Sequence, residues 1–209
     1  MRPGSRTRGG GGRRGVVAAA VVVAALLLAG CSDAISAPGA TNVEVDTPAL
    51  REMKVEAGIE DCRPGSGAGE LPDLTLPCLG GGPDVALDSL DGPLIINLWF
   101  SGCGPCRDEM PALQSFYAAY GDQVGVLGID VENYPEAAIS FAGMVGATYP
   151  QLADPGGEIF DQPDLRVGQG FPQFIVIDAD GRVVHQAAGG LDTEAEVVAM
   201  AEEHLGVTL

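Results

Sequence analysis

Basic residues are scarce in this sequence, and their scarcity limits what the protein can bind. The chain has 11 Lys and Arg against 29 Asp and Glu, and five of the 11 precede the first acidic residue, Asp33. Residues 31–209 therefore carry six basic and 29 acidic side chains, a net charge of −23. A surface of that charge repels the phosphates of nucleic acids and anionic lipid headgroups. We expect no nucleic-acid partner.

The N-terminus also lacks a hydrophobic run long enough to span a membrane. Its apolar stretch, Val16–Leu28, has 13 residues and follows Arg13 and Arg14. A membrane-spanning helix needs about 20 such residues, whereas a run of about 7–15 after a basic segment is typical of a signal peptide. We expect residues 1–30 to be a signal peptide, which places the remainder outside the cytoplasm.

The apolar stretch closes on Leu28-Ala29-Gly30-Cys31, which resembles the lipobox of bacterial lipoproteins. The resemblance implies that Cys31 receives a diacylglyceryl group and becomes the mature N-terminus. The protein would then be anchored by lipid to the cell membrane, on its extracytoplasmic side. Cleavage without lipidation and an uncleaved anchor are the alternatives.

Residues 31–60 show no sustained hydrophobic period. They are polar and acidic and include Pro38 and Pro48, so we expect a flexible tether. As a coil it would span roughly 30 Å, enough to hold a domain clear of the lipid headgroups. The segment Pro48–Glu56 is compatible with a short helix.

Histidine is rare, with two residues in the chain, whereas cysteine occurs five times. Cys62 and Cys78 have 15 residues between them, including a Gly-rich loop. Outside the cytoplasm such a pair is most simply a structural disulfide, which would contribute roughly 3 kcal/mol to stability. A four-cysteine zinc site shared with Cys103 and Cys106, or a second catalytic couple, are the alternatives. Only one of the two pairs has zinc-ligand spacing, and neither histidine lies nearby.

The second pair of cysteines follows a buried-strand pattern. The apolar run Leu94–Phe100 predicts a strand, and the pattern from Cys103 to Tyr120 predicts a helix. Cys103 falls at the N-terminus of that helix, where free N–H groups and the helix dipole stabilise a thiolate. Cys106, one turn on, is close enough to resolve a mixed disulfide. The spacing alone is also compatible with half a zinc site, a structural pair or chance, but its strand–turn–helix context predicts thiol–disulfide exchange, with Cys103 as the nucleophile and Cys106 as the resolving thiol.

The remaining pattern alternates between strands and helices, as in an α/β fold. Each predicted strand is short and apolar, and each predicted helix has capping residues or an apolar side. The predictions are a parallel strand over Val124–Val131, a helix capped by Asn133 and ending near Val145, a hairpin of Phe174–Ile177 with Arg182–His185, and a last helix over Asp192–Leu205.

The segments Asn97-Leu98-Trp99 and Cys103-Gly104-Pro105-Cys106-Arg107-Asp108-Glu109-Met110-Pro111 resemble the TlpA/ResA branch of the thioredoxin superfamily, the membrane-tethered thiol–disulfide oxidoreductases of bacteria. The resemblance implies a thioredoxin fold for residues 61–209, with a central mixed β-sheet flanked by helices. It also implies an added N-terminal hairpin, formed by Leu74–Leu79 and Val85–Leu90, and a TlpA-type insert that contains residues 133–160.

Three residues acquire roles from this resemblance. Glu109, three residues after Cys106, would lie near that buried cysteine and tune its titration or relay its proton, and a solvated carboxylate is the alternative. Phe171 and Pro172 match the cis-proline loop, where the backbone of Phe171 would pair with an extended substrate peptide. A trans bond at a strand start is the alternative there. One departure is Gly102, where most of the branch has Trp, so an apolar platform beside the reactive sulfur is expected to be lost.

The resemblance further implies an enzyme that needs no metal or organic cofactor beyond its own redox-active disulfide. Its partners would be client proteins with thiols or disulfides and a membrane thiol carrier that supplies electrons, as in cytochrome c maturation. Gly104-Pro105 resembles the reducing members, and we expect a monomer. A peroxiredoxin-like peroxide reductase and a non-catalytic copper chaperone of the same fold are the alternatives.

Overall fold

The computed structural model describes residues 1, 4, 43–167 and 170–209. Apart from two isolated residues, the expected signal peptide lies outside this range, as do the lipobox cysteine Cys31 and the expected tether as far as residue 42. Among the described residues, no helix is long and apolar enough to cross a lipid bilayer.

The described residues fold into an α/β domain in which strands and helices alternate along the chain. The strands are β1 (Thr75–Leu76), β2 (Val85–Ala86), β3 (Leu94–Trp99), β4 (Gly125–Asp130), β5 (Gln151–Ala153), β6 (Gln173–Ile177) and β7 (Val183–Ala188). The α-helices are α1 (Pro48–Ala57), α2 (Gly104–Tyr120), α3 (Pro135–Val145) and α4 (Glu194–Leu205). The strands and helices predicted from residue 94 onward are confirmed, with bounds that differ by a few residues.

A five-stranded mixed sheet lies at the centre of the fold, in the order β5-β4-β3-β6-β7. The strands β3, β4 and β5 are parallel, whereas β6 is antiparallel to β3 and β7 is antiparallel to β6. Every residue of β3 is buried, which explains its continuous apolar sequence. This arrangement confirms the predicted thioredoxin fold.

Alternate residues of β3 enter two apolar clusters, because successive side chains of a strand point to opposite faces. Ile95 and Trp99 pack in the cluster that contains the buried residues of the helices. Ile96 and Leu98 pack in a second cluster with residues from Cys62 to Leu90. The expected N-terminal hairpin lies in that segment, where β1 and β2 pair antiparallel. The hairpin therefore covers one face of the sheet.

The expectation of a flexible tether is wrong from residue 43 onward. Thr47 caps α1, whose one face is buried through Leu50 and Lys54, and α1 packs against α3. Val45 and Ile59, on either side of the helix, join the core cluster as well. The sequence hides this packing because isolated apolar residues within a polar segment produce no period. The folded domain therefore includes residues 43–60 and does not begin at residue 61.

One predicted helix start is also corrected. Tyr134, and not Asn133, occupies the cap position of α3, and it makes no side-chain capping bond. The last helix, α4, instead begins with a complete capping box, in which Thr193 and Glu196 bond to each other's backbone N–H groups.

Candidate active site

The four residues after β3 bring Cys103 to the end of the sheet. The N–H of Cys103 donates to the carbonyl of Phe100 over 3.0 Å, which closes a tight turn before α2. Cys103 is the N-cap residue of α2, and its Sγ accepts a hydrogen bond from the N–H of Cys106 over 3.1 Å. The two cysteines form a disulfide. Both cysteines are buried, but Cys103 retains 5% exposure whereas Cys106 is fully buried.

The start of α2 stabilises negative charge on Cys103 once the disulfide is reduced. The N–H of Cys106 points at Sγ, and a hydrogen bond to the charged form of an acid lowers its pKa. The N-terminal end of the helix dipole acts in the same direction. These contacts support the prediction that Cys103 is the more acidic thiol, because Cys106 lies one turn inside the helix.

Glu109 lies on the buried face of α2, one turn after Cys106, and its side chain is fully buried. Burial raises the pKa of Glu109 to about 8, and the charge of Asp192 acts in the same direction. The amide of Asn97, which donates to Oε1 over 2.8 Å, and the backbone of Leu191 lower it in part. The Leu191 contact lacks hydrogen-bond geometry, and Oε2 has no bonded partner among the described residues. The alternative of a solvated surface carboxylate is therefore wrong.

The Phe171–Pro172 peptide bond is cis, which confirms the expected geometry of this loop and excludes the trans alternative. Gln173 begins β6 opposite Leu98 of β3, so the loop lies at the same end of the sheet as Cys103. The loop is anchored on both sides, because Gln173 Nε2 donates to the Gly170 carbonyl over 2.8 Å and Gly189 donates to the Pro172 carbonyl over 3.1 Å.

Sequence reasoning missed Glu132, which holds the turn before the reactive cysteine. Its Oε1 accepts a hydrogen bond of 2.7 Å from the N–H of Ser101. The parallel register of Trp99 with Asp130 brings the ends of β3 and β4 together and so makes this contact possible. The sequence signal that could have identified Glu132 is its position as a carboxylate just after a predicted parallel strand. Asp130 itself is buried, which together with the charge of Glu132 raises its pKa to about 9.

At Gly102, where a large apolar side chain is expected to be lost, the neighbouring ring belongs to Phe100. A Cβ atom at this position would lie 3.4 Å from the ring of Phe100, so an aromatic surface is already present beside Gly102. The ring of Phe100 in turn contacts the ring of Phe171, with centroids 5.2 Å apart. The expected loss of a side chain at position 102 stays a prediction, with aromatic rings as its neighbours.

The other two cysteines of the domain form a separate disulfide, Cys62–Cys78, as predicted. Both are buried, and the ammonium of Lys54 lies 3.3 Å from Cys78 Sγ while it also binds Asp61 and the Gly81 carbonyl. The disulfide therefore joins Cys62 to the hairpin segment, and the Lys54 contact joins that segment to α1. The four cysteines of the alternative zinc site are paired in these two disulfides, and among the described residues no three cysteine, histidine or acidic side chains converge on a possible metal position.

Several proteins that are similar to this chain are named for thiol–disulfide exchange. The chain is 34% identical over 125 residues to the thiol:disulfide interchange protein HelX of Rhodobacter capsulatus, covering 58% of this chain and 68% of HelX. It is 31% identical over 110 residues to the thiol–disulfide oxidoreductase ResA of Bacillus thuringiensis, covering 52% of this chain and 62% of ResA. A secreted thiol–disulfide isomerase from Corynebacterium glutamicum superposes with a TM-score of 0.57 at 26% identity, over 66% of this chain and 86% of that one.

A thioredoxin fold with a disulfide at the start of α2 and a cis-proline at the same end of the sheet defines a thiol–disulfide oxidoreductase of the ResA type. Residues 67–203 match the family model described as Redoxin, and the chain belongs to the Redoxin family.

Proposed function

We propose that the protein reduces disulfides in client proteins outside the cytoplasm, through the Cys103–Cys106 couple, while a lipid on Cys31 holds it at the membrane. The observation that carries the reaction is the asymmetry of the couple. Cys103 retains 5% exposure and its Sγ accepts a hydrogen bond from the N–H of Cys106, whereas Cys106 is fully buried. Exchange with a large client requires a nucleophile that is more accessible than the resolving thiol.

The reaction proceeds in two exchanges. The thiolate of Cys103 attacks one sulfur of the client disulfide and forms a mixed disulfide, and the other client sulfur leaves as a thiolate. Cys106 then loses its proton and attacks Sγ of Cys103, which reforms the Cys103–Cys106 bond and releases the client's second thiolate. Two electrons pass from the protein to the client in total. A membrane thiol carrier would supply them again by reducing the disulfide.

Glu109 is the group proposed to take the proton from Cys106. Its pKa of about 8 lies close to that of a thiol, so a proton can pass between the two groups without a large energy cost. An ordinary surface glutamate, with a pKa near 4, would be a much weaker base. Burial of both side chains on one helix face supports this role.

The proposed location outside the cytoplasm and the proposed direction of electron flow, from the protein to its clients, are supported by different observations. The apolar run with Leu28-Ala29-Gly30-Cys31 supports export and lipidation, and one related structure is described as that of a secreted protein. Gly104-Pro105 between the cysteines resembles the reducing members of the superfamily. The clients would be thiol- or disulfide-bearing proteins at the outer face of the membrane.

The test compares three activities of the purified domain side by side: reduction of insulin disulfides, consumption of hydrogen peroxide and binding of copper(I). We expect insulin reduction that Cys103→Ser abolishes, with peroxide consumption at the level of that variant. Rapid peroxide turnover without insulin reduction would show a peroxide reductase. Tight copper(I) binding without either activity would show a metal chaperone.

A further inference from the structure

Three phenylalanines from separate segments meet at the end of the sheet that carries Cys103. Phe100 follows β3, Phe160 lies in the short 3₁₀ helix Glu158–Asp161, and Phe171 belongs to the cis-proline loop. The ring centroids of Phe100 and Phe171 are 5.2 Å apart, and those of Phe160 and Phe171 are 5.9 Å apart, both edge to face. Phe160 is 39% exposed. We call these three residues the phenylalanine platform.

The platform lies at the same end of the sheet as the reactive cysteine. The backbone carbonyl of Phe100 accepts the hydrogen bond from the N–H of Cys103, and Phe171 directly precedes the cis-proline. The two residues on either side of Cys103, Gly102 and Gly104, have no side chain. A Cβ atom on Gly102 would contact only the ring of Phe100 among the described residues, and one on Gly104 would contact nothing within 4 Å.

A client that reacts with Cys103 must approach the residues beside it. Disulfide exchange requires a client sulfur within bonding distance of Cys103 Sγ, and neighbouring residues of a chain have Cα atoms about 3.8 Å apart. The residues next to the client's cysteine therefore come close to the segment that precedes Cys103, which contains Gly102 and Phe100. Apolar side chains gain free energy by leaving water, and aromatic ones gain more from edge-to-face contact.

We propose that the phenylalanine platform selects clients whose reactive cysteine is preceded or followed by a large apolar side chain, which fills the space beside Gly102. This inference rests on the proposed function, because it assigns the client class of that same site. The selected partner is an extended polypeptide segment, and its own side chain completes the aromatic cluster. The acidic surface of the domain contributes no such preference, because it acts on the charge of a client and not on its apolar area.

The test uses two synthetic peptides that differ only in the residue before their single cysteine, phenylalanine or serine. Each cysteine is joined in a mixed disulfide to thionitrobenzoate. Attack by the reduced protein on the peptide sulfur forms the Cys103–peptide disulfide and releases the coloured thionitrobenzoate thiolate, and Cys106 then frees the peptide. We expect the phenylalanine peptide to react about tenfold faster, equivalent to ~1.4 kcal/mol.

Two variants change the platform in different ways. Phe160→Ala removes an exposed ring, and Gly102→Leu fills the space from the protein's own side, so each should lower the ratio of the two rates toward one. Val184→Ala, which shortens an exposed apolar residue of β7 outside the platform, should leave the ratio unchanged. Circular dichroism of each variant confirms that the fold is retained.

The failure of this inference can be distinguished from the failure of the proposed function. A wild-type ratio near one, or a ratio that survives both platform variants, would overturn the role of the platform. If the wild-type protein still releases thionitrobenzoate from dithiobis(nitrobenzoate), a small disulfide with no peptide, the proposed function stands in that case. If it attacks neither the peptides nor the small disulfide, the proposed function itself is overturned.

Discussion

Asn97 on β3 donates a hydrogen bond from Nδ2 to Oε1 of Glu109 on α2 over 2.8 Å, and both side chains are fully buried. The amide favours the charged carboxylate, but burial opposes it more strongly, so the pKa of Glu109 rises to about 8. The carboxyl is therefore mostly protonated at neutral pH. It is poised to gain or lose its proton in the range where thiols titrate.

Replacing Glu109 with Gln should make the stability of the domain less dependent on pH. The folded carboxyl keeps its proton up to a pH of about 8, whereas in the unfolded chain the carboxyl releases that proton near its ordinary pKa of 4.5, so stability falls as the pH rises between these values. In Glu109→Gln this loss, on the order of 2–4 kcal/mol, should be absent. Urea unfolding at pH 5 and pH 8 measures it. Asp130, whose pKa is also raised, is present in both proteins, so the difference between them reports Glu109 alone. Equal pH slopes would contradict the assigned pKa.

The same substitution should change the pH dependence of turnover if Glu109 accepts the proton of Cys106. In Glu109→Gln we expect the rate of the resolving step to lose its inflection near pH 8. The pH dependence of the first attack by Cys103 should stay unchanged. Single-turnover kinetics with a peptide disulfide separate the two steps. An unchanged profile for the resolving step would leave Glu109 without a role in proton transfer.

In the reduced protein, iodoacetamide should modify Cys103 before Cys106, because Cys103 is the less buried of the two and its Sγ accepts a hydrogen bond from the N–H of Cys106 at the helix N-terminus. The rate of modification should titrate below the free-thiol value of about 8.5. Cys106→Ser should trap mixed disulfides with clients on Cys103, since no thiol remains to resolve them, and Cys103→Ser should trap far fewer. Preferential alkylation of Cys106 would reverse the assigned roles.

The Cys62–Cys78 disulfide should resist a mild reductant that opens Cys103–Cys106, because both of its sulfurs are buried. Differential alkylation followed by mass spectrometry measures this order of reduction. The double variant Cys62→Ala/Cys78→Ala should lose about 3 kcal/mol of stability and keep its alkylation rate at Cys103. Simultaneous opening of both disulfides would contradict a purely structural role for the buried one.

Leu50 should contribute to the stability of the whole domain, since α1 is packed and not part of a tether. Leu50→Ala should cost about 2–5 kcal/mol, because a buried leucine loses both its transfer free energy and its packing. Val55→Ala on the same helix is the matched control, since Val55 is 79% exposed and should change stability by less than about 0.5 kcal/mol. Equal effects of the two substitutions in chemical unfolding would mean that α1 does not pack in solution.

Cys31→Ala should release the protein from the membrane fraction, because the lipobox resemblance assigns the anchor to this residue alone. Fractionation of cells that express the full chain, with metabolic labelling by a fatty acid, measures both anchoring and lipidation. A Cys31→Ala protein that stays bound as tightly as the parent would contradict the lipobox interpretation.

Much of the candidate site was predictable because its signals are local. The apolar run before Cys103, the C-x-x-C spacing and the helix that follows lie within 30 residues, and each element forms from its own neighbours. The cis bond before Pro172 and the burial of Glu109 were expected only through the resemblance to a known family. No property of the residues alone distinguishes a buried glutamate on a helix from a solvated one.

Local sequence thus determined most of the strands and helices and the class of chemistry. It also determined which cysteine lies at the helix N-terminus and which lies one turn inside, because periodicity, capping and spacing act between near neighbours. The tertiary structure decided which distant residues meet. The register of β3 with β4 and β6 brings Glu132 to Ser101 and Phe171 to Phe100, over separations of 31 and 71 positions. It also decided that residues 43–60 fold, since Leu50 gains its free energy only when a core assembled from later segments is present to cover it.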